Sequence, residues 1–363
     1  MISFSPTEEQ KMIVNTVKQF ATDFMRKKFR ECDEEGKVPA EIIDAAWELG
    51  LVISCIPEEL GGAGWEHSAV TGTLLAEELA WGDLSMAMHI LTPSLAILPI
   101  VEMGTPEQKK KYLPSLCNGK FTASTAAFIE PRYNFDPAEF GTVARRNGGY
   151  TLNGNKCYVP LASNASFILI YAREVNSNQC FIVEKGTRGL DIGEREKNMG
   201  VKALSTYELA LNDCKVTTEN RLGGDAGCNY GRLVNLSRVA LAAMAIGVAR
   251  GALEFARDYA RDRHTFGEPI GSRQAIAFML ADMAIEIDAA RLMNWEAAWK
   301  LDRKEDATRE ACLAEMYASN MVMLSTDHAV QVMGGHGYIR DNPVELWFRN
   351  GRGFSTFTGM AMV

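Results

Sequence analysis

The sequence predicts an α+β fold in three consecutive domains: an N-terminal all-helical domain over residues 1–120, a middle β domain over residues 121–225, and a C-terminal four-helix bundle over residues 226–363. In the first and last domains, apolar residues recur at steps of three to five, as on one face of a helix. In the middle, alternating and short apolar runs typical of strands replace that period. A chain of 363 residues is long enough for two or three domains.

The N-terminal part carries two helix-start signals. Ser5-Pro6-Thr7-Glu8 predicts a capping box with proline at the first helical position, and Thr105-Pro106-Glu107-Gln108 predicts another. Between them, helices are expected after Pro39, over residues 69–80 and over residues 93–102. The glycine-rich run Pro57-Glu-Glu-Leu-Gly-Gly-Ala-Gly64 lacks the preceding strand of a dinucleotide-binding loop, so we expect an ordinary loop there.

The middle part begins at Phe121, where the helical period stops. Asn153-Gly154 lies between alternating residues and predicts a β-hairpin turn. Residues 167–172 and 180–183 are apolar runs typical of buried strands, and residues 208–216 alternate less regularly. These segments predict an antiparallel sheet that forms a small barrel or a sandwich.

The C-terminal part returns to the helical period. Long amphipathic helices are predicted over roughly residues 230–262, 272–302 and 306–333. Asn342-Pro343-Val344-Glu345 predicts the start of a fourth helix, which ends near Gly351. Because the links between these segments are short, the four helices are expected to form a bundle.

The composition excludes several classes of function. A net charge of −8, from 38 basic and 46 acidic residues, argues against a nucleic-acid-binding protein. None of the eight cysteines forms a Cys-x-x-Cys pair and none of the five histidines has metal-site spacing, so we expect reduced thiols and no metal. Residues 7–11 are charged where a signal peptide is apolar, and we expect no apolar stretch that reaches the roughly 20 residues of a membrane span. We therefore expect a cytoplasmic protein.

Two turns in the last third of the chain indicate the function. The first is Arg261-Asp-Arg-His-Thr-Phe-Gly-Glu-Pro-Ile270, which by pattern alone is a connector between two helices. The second is Gln331-Val-Met-Gly-Gly-His-Gly-Tyr338. Together, and in this order, they resemble the FAD-binding signatures of the acyl-CoA dehydrogenase family. The Pro57–Gly64 run and the helix–sheet–helix layout extend this resemblance over nearly the whole chain.

The resemblance implies that FAD is bound across a subunit interface in a homodimer or homotetramer. The residues implied to contact the pyrophosphate and adenosine are Arg263, Thr265, Phe266 and Gln274, with Gln331, Gly334 and Gly335 reaching them from a neighbouring subunit. The chemistry is suitable, because an arginine fork binds a pyrophosphate and glycines let backbone N–H groups approach it.

Around the flavin ring the family pattern is altered. The family's Thr-Glu-Pro-Gly-Ala-Gly-Ser-Asp stretch is here Ile129-Glu-Pro-Arg-Tyr-Asn-Phe-Asp136, so Ile129 replaces a hydroxyl side chain. The family's Trp-Ile-Thr-Asn stretch is here Tyr158-Val-Pro-Leu161. Tyr158 keeps an aromatic wall, whereas Pro160 replaces a threonine that would hydrogen-bond the flavin.

Family members remove the proton next to the thioester carbonyl with a carboxylate, while the flavin takes a hydride from the next carbon. Both positions that carry this carboxylate in the family are hydroxyl residues here, Thr358 and Ser237. A hydroxyl group needs a partner to act as a base. By the same resemblance, the residues expected to bind substrate are Arg238, Phe135, Phe357 and Gly359. Glu254, Glu286 and Glu345 are better explained as solvated helix faces.

These observations leave two main interpretations. The first is an FAD-dependent oxidoreductase that acts on an acyl-CoA or acyl-carrier-protein thioester, lacks the usual glutamate and passes its electrons to an electron-transfer flavoprotein. The alternative is a non-catalytic or catalytically altered subunit that forms a hetero-oligomer with an active paralogue. A helical scaffold unrelated to flavin is the third. The altered ring site favours the second interpretation, and the two preserved FAD turns favour the first.

Overall fold

The computed structural model of this chain describes residues 5–363, in which helical N- and C-terminal parts flank a central sheet. The N-terminal helices are α1 (Glu8–Phe20), α2 (Arg26–Glu35), α3 (Ala40–Glu48), α4 (Ala69–Gly82), α5 (Leu84–Leu91), α6 (Ser94–Met103) and α7 (Pro106–Tyr112). A π-helical turn, Ala21–Met25, joins α1 to α2. The three-part order predicted from the sequence is confirmed.

The two predicted helix starts have different outcomes. The capping box at Thr105 is confirmed, because Thr105 Oγ1 accepts from the Gln108 amide and Gln108 Oε1 accepts from the Thr105 amide. The first was placed wrongly: the capping residue is Thr7, paired with Gln10, instead of Ser5. Gln10 also donates to Thr71 Oγ1 on α4 at 3.1 Å, so a tertiary contact favours the later start.

The central sheet consists of β1 (Thr125–Ala127), β2 (Val143–Arg146), β3 (Tyr150–Pro160), β4 (Phe167–Glu174), β5 (Ser177–Glu184), β6 (Leu190–Arg195) and β7 (Thr206–Val216). Its hydrogen-bonded order is β1-β4-β2-β3-β7-β6, and β5 pairs with β4. The prediction of an all-antiparallel sheet was wrong, because β1 and β2 both run parallel to β4. Closure into a barrel or sandwich stays a prediction.

Asn153-Gly154 is not the predicted hairpin turn. Strand β3 continues through it, and its pairing with β7 shifts register between Leu152 and Gly154. The Asn153 side chain exchanges hydrogen bonds with Asp213 of β7, donating to Oδ1 at 3.1 Å and accepting from its amide at 2.9 Å. A cross-strand partner thus turns the dipeptide into a β-bulge. The hairpin itself is formed by residues 147–149, between β2 and β3.

The C-terminal part contains α8 (Tyr230–Asp262), α9 (Gln274–Asp302), α10 (Thr308–Met333), α11 (Gly335–Tyr338) and α12 (Val344–Gly351), with the short ladder β8 (His264–Thr265) and β9 (Glu268–Pro269) after α8. The three long helices are confirmed within a few residues. Asn342 does not cap α12, because its amide group donates to the His336 carbonyl. Helix α12 packs against α8 and α10, while α4 of the N-terminal part also lies along α8 and α9.

The core is continuous from the helices to one face of the sheet, and a smaller core covers the other face. Contrary to the sequence reading, two stretches are long and apolar enough to span a membrane, Leu84–Met103 and Tyr230–Asp262. Their most apolar windows are 89% and 78% buried inside the protein. Packing within the fold therefore accounts for their composition.

Candidate active site

A cavity of about 500 Å³ lies between the sheet and the segment that follows α12, residues 352–363, here called the C-terminal segment. Its walls come from the segment after β1, from β3, from carboxylates on β7 and in the loop after β6, and from residues 355–358. It brings together four residues that separate sequence motifs had predicted, namely Ile129, Phe135, Tyr158 and Thr358. We take this cavity as the candidate active site.

Tyr158 reaches the cavity through an irregularity in β3. The register with β7 shifts between Lys156 and Val159, and Tyr158 has a left-handed backbone with φ of 52°. The amide of Tyr158 donates to Glu196 Oε1 at 3.1 Å, while Glu196 Oε2 is buried without a hydrogen-bond partner. Such strain in a non-glycine residue is typical of functional sites. Pro160, predicted at the flavin ring, lies buried in β3 opposite Thr206 and does not line the cavity.

A buried ion pair fixes the segment that carries Ile129. Glu130 is 5% exposed and accepts hydrogen bonds from the amides of Gly141 and Thr142 and from Lys156 Nζ at 3.2 Å. Burial acts to raise the pKa of Glu130, but Lys156 and these amides hold it below its usual value. The Ile129 carbonyl accepts from the Cys157 amide at 3.0 Å. These contacts join the segment that forms one wall of the cavity to β3 and to residues 141–142.

Thr358 and Ser237, the two residues predicted from the resemblance to stand at the base positions, lie close together. The Gly359 amide donates to Ser237 Oγ at 3.0 Å. Ser237 is 2% exposed, so its hydroxyl holds the turn at residues 357–360 and does not face the cavity. Thr358, by contrast, lines the cavity.

Behind Thr358 lies a carboxylate that the sequence analysis missed. Thr358 Oγ1 donates to Glu315 Oε1 at 3.1 Å, and Arg238 Nε lies 3.3 Å from Glu315 Oε2. Burial raises the pKa of Glu315, although Arg238 and the Thr358 hydroxyl act against this. The sequence contained one signal for Glu315. This acid stands in α10 among small apolar residues that form one helix face, Ala311, Ala314, Ala318 and Val322. Such a stripe normally packs inside the protein.

The other acids considered from the sequence have partners elsewhere. Glu254 accepts from Trp81 Nε1, Glu286 from the Tyr317 hydroxyl, and Glu345 from Arg349 Nε. None of these three lines the cavity. Of the predicted substrate-binding residues, Phe135 lines it, whereas Phe357 packs against Phe354 with ring centroids 5.5 Å apart. Arg238 pairs with Glu315 and donates to Asn235 Oδ1 at 3.1 Å.

The two predicted FAD turns lie at one end of the long helices. Tyr259 lies on α8, four residues before Arg263 of the first FAD turn. Its hydroxyl oxygen is 3.4 Å from Nδ1 of His336, which belongs to the second FAD turn. Gln331, Gly334 and Gly335 are exposed, and a Cβ added to either glycine would meet no atom within 4 Å. A ligand can therefore approach the backbone of this turn closely, although the amides of Gly334 and Gly337 already donate to the carbonyls of Gln331 and Gly334.

The first turn is also open. Phe266 is 96% exposed, and Gln274 is exposed at the first position of α9. Within residues 5–363, the Arg263 guanidinium has no carboxylate partner, whereas Arg261 is paired with Asp262 and Arg273 with Glu268. Arg273 also donates to the Thr265 carbonyl. An exposed guanidinium without a carboxylate partner among the described residues suits the pyrophosphate of a dinucleotide.

Family models match along almost the whole chain. Residues 7–120 match the acyl-CoA dehydrogenase N-terminal domain, residues 125–214 its middle domain, and residues 231–363 its C-terminal domain.

Known proteins are similar over nearly the whole length of the chain. Subunit CarC of the caffeyl-CoA reductase–Etf complex from Acetobacterium woodii is 35% identical, with 98% of this chain and 96% of the relative covered. The structure of butyryl-CoA dehydrogenase from Megasphaera elsdenii has a TM-score of 0.88 at 31% identity, with 99% of this chain and 96% of that chain covered. The FAD complex of PigA has a TM-score of 0.89 at 25% identity, with the same coverages.

Proposed function

The chain belongs to the acyl-CoA dehydrogenase family, and on that premise we propose that it oxidises an acyl thioester with hydroxyl side chains at both positions of the usual glutamate. The protein is an oxidoreductase of the flavin-dependent kind, with FAD as its cofactor. When bound, FAD supplies the redox chemistry by accepting a hydride. The chain's own task is to bind the thioester, orient it and remove its proton.

Separate groups of residues would hold the two ends of the cofactor. We assign its pyrophosphate and adenosine to Arg263, Thr265, Phe266 and Gln274, together with Gln331, Gly334 and Gly335 of a neighbouring subunit. All of these residues except the half-buried Thr265 are exposed, and this exposure and the unneutralised charge of Arg263 support the assignment. The ring would lie against Tyr158 and Ile129. Because Ile129 offers no hydroxyl and the Tyr158 amide already donates to Glu196, this end offers few hydrogen bonds to a flavin.

The observation that carries the proposal is the convergence of Ile129, Phe135, Tyr158 and Thr358 on one cavity. The test begins with the visible spectrum of the purified protein, in which flavin bands near one equivalent per chain are expected. The yellow protein is then mixed anaerobically with a panel of acyl-CoAs, and bleaching of the flavin is followed. A colourless protein that stays apo when FAD is added contradicts the proposal.

The partners proposed are an acyl-CoA or acyl-carrier-protein thioester, an electron-transfer flavoprotein, as the CarC relative suggests, and further copies of this chain in a homodimer or homotetramer. Helix α9 exposes Phe278, Ile285 and Leu292 at 58%, 65% and 47%. Their spacing of seven residues places them on one helical face, as in a helix–helix interface. Size-exclusion chromatography with light scattering tests the assembly. The cytoplasmic location stays a prediction.

The alternative is a subunit that works only with an active paralogue. It is favoured by the absence of a carboxylate at position 358 and by the use of the Tyr158 amide within the protein. The same anaerobic experiment separates the two functions. Flavin reduction by the isolated protein supports the dehydrogenase, whereas reduction only after a paralogue is added supports the subunit.

A further inference from the structure

We propose that Glu315 is the final acceptor of the substrate's α-proton, which reaches it through the hydroxyl of Thr358. This inference rests on the proposed function, since it assumes that an acyl thioester occupies the cavity beside Thr358. It assigns a role to a partly buried acid on α10 that the two glutamate positions of the family do not include.

The direction of the hydrogen bond supports a relay. A hydroxyl group has one proton to donate and two lone pairs that accept. Thr358 donates its proton to Glu315 Oε1 at 3.1 Å. Its lone pairs therefore remain for a group in the cavity that Thr358 lines. A nucleophile or base that is weak by itself becomes effective when an adjacent base takes its proton.

Arg238 orients the carboxylate from the other side. Its Nε lies 3.3 Å from Glu315 Oε2, leaving Oε1 to Thr358. Arg238 is in turn bound to Asn235, whose amide group donates to Thr308 at the start of α10 at 3.1 Å. The groups that face Glu315 are thus a cation from α8 and a hydroxyl from the C-terminal segment. Thr358, Glu315 and Arg238 repeat the arrangement of a reacting hydroxyl, a base and an orienting group.

Ser237 does not provide a competing route. It is 2% exposed, and its oxygen already accepts from the Gly359 amide. It positions the turn that presents Thr358. Glu196 and Glu208 also line the cavity, but neither is hydrogen-bonded to Thr358, and Glu196 Oε1 accepts from the Tyr158 amide.

The relay moves one proton and the oxidation moves one hydride. The α-carbon–hydrogen bond breaks, and its proton passes to Thr358 Oγ1 while the Thr358 proton passes to Glu315 Oε1. The electron pair left on the α-carbon forms the carbon–carbon double bond as the β-hydrogen leaves with its pair as hydride to FAD. Thr358 is regenerated, and Glu315 ends protonated. The Glu315 side chain is 16% exposed, so its proton can return to solvent.

The test measures proton removal without hydride transfer. Acetyl-CoA and phenylacetyl-CoA have α-hydrogens but no hydrogens on a β-carbon that could leave as hydride. Each is incubated with the FAD-loaded protein in D₂O, and incorporation of deuterium at the α-carbon is followed by NMR. The wild-type protein is expected to exchange at a rate that rises with pH through one ionisation, above the range of an ordinary carboxyl.

Glu315→Gln is expected to slow exchange by about a hundred- to ten-thousandfold and to abolish that pH dependence. Glu310→Gln is the matched control, because Glu310 lies on the same helix and is paired with Lys300 instead. Thr358→Val is expected to slow exchange similarly, and Thr358→Ser to recover most of the rate. Flavin content and circular dichroism confirm that each variant is folded, and Thr358→Val tests the relay if Glu315→Gln does not fold.

Exchange by Glu315→Gln at the wild-type rate, or with the wild-type pH dependence, overturns the relay. Absence of exchange by a wild-type protein that binds FAD also overturns it, while leaving the proposed acyl-thioester binding in place. Exchange that depends on Glu315 without flavin reduction by any β-hydrogen-bearing acyl-CoA supports the relay and contradicts the proposed oxidation. The two proposals can therefore fail separately.

Discussion

The hydroxyl of Ser237 on α8 accepts a hydrogen bond of 3.0 Å from the backbone amide of Gly359, which lies 122 residues further along the chain. The bond is buried and joins the central helix to the C-terminal segment. It holds the turn that places Thr358 at the cavity. Ser237, which was predicted from the resemblance to stand at a base position, is thus already occupied by a backbone hydrogen bond.

Gly359→Ala is expected to destabilise this turn strongly. Gly359 has φ of 83°, and an added Cβ would lie 2.3 Å from Cγ of Phe128. The left-handed backbone costs a non-glycine residue about 1–2 kcal/mol, and overpacking adds about 1–3 kcal/mol. Gly148→Ala is the control, because Gly148 has φ of 66° but no atom within 4 Å of its Cβ position. Urea unfolding should show a larger loss for Gly359→Ala, and equal losses would mean that Phe128 yields easily.

Arg263→Ala is expected to weaken FAD binding by about ten- to a hundredfold, because a charged hydrogen bond to the pyrophosphate is worth about 1.5–3 kcal/mol. Titration of the apoprotein with FAD measures this. Arg261→Ala is the control, since Arg261 is two residues away and already paired with Asp262. Should both variants lose affinity equally, general positive charge and not a specific contact would explain the binding.

Thr358→Glu restores a carboxylate at the family position but places it beside Glu315. Two adjacent carboxylates raise each other's pKa, so the single variant should reduce its flavin only at higher pH than the double variant Thr358→Glu/Glu315→Gln. We expect partial recovery in the double variant, because Ile129 still offers no hydroxyl to the flavin. Anaerobic stopped-flow measurements from pH 6 to 9 check this. Identical pH profiles would indicate that the Glu315 carboxylate does not change the pKa of a carboxylate at position 358.

Stability at acid pH is expected to depend on Glu102 of α6. Burial acts to raise the pKa of Glu102, but hydrogen bonds from His67 and from Arg232 of α8 lower it to about 2 from 4.5. Because the folded pKa lies below the unfolded one, the stabilisation is complete above about pH 4.5 and is lost as pH falls towards 2. At about 1.4 kcal/mol per pKa unit, it is on the order of 3 kcal/mol.

Glu102→Gln should therefore be less stable than the wild type at pH 7 and less sensitive to a fall from pH 5 to pH 3. Urea unfolding at several pH values measures both effects. Glu9→Gln, at an exposed position of α1, is the control. An unchanged slope in Glu102→Gln would assign the acid sensitivity to other carboxylates.

The sequence alone determined the type and order of the elements. A helical period depends on neighbouring residues three and four positions apart, so α8, α9 and α10 were predicted within a few residues. The capping box at Thr105 is local for the same reason. The two turns at residues 261–270 and 331–338 indicated the family and its cofactor, because their residue types resemble known FAD-binding signatures.

Tertiary structure alone decided the features that depend on distant partners. Asn153-Gly154 permits a turn but does not require one, and Asp213, 60 residues away, made it a bulge. The parallel pairing of β4 with β1 and β2 likewise depends on how distant segments dock. Glu315 became a candidate acid only because α8, α10 and the C-terminal segment bring Arg238 and Thr358 to its two oxygens. No local sequence pattern predicts that these three side chains contact one another, because each of the three segments by itself is an ordinary helix face or turn.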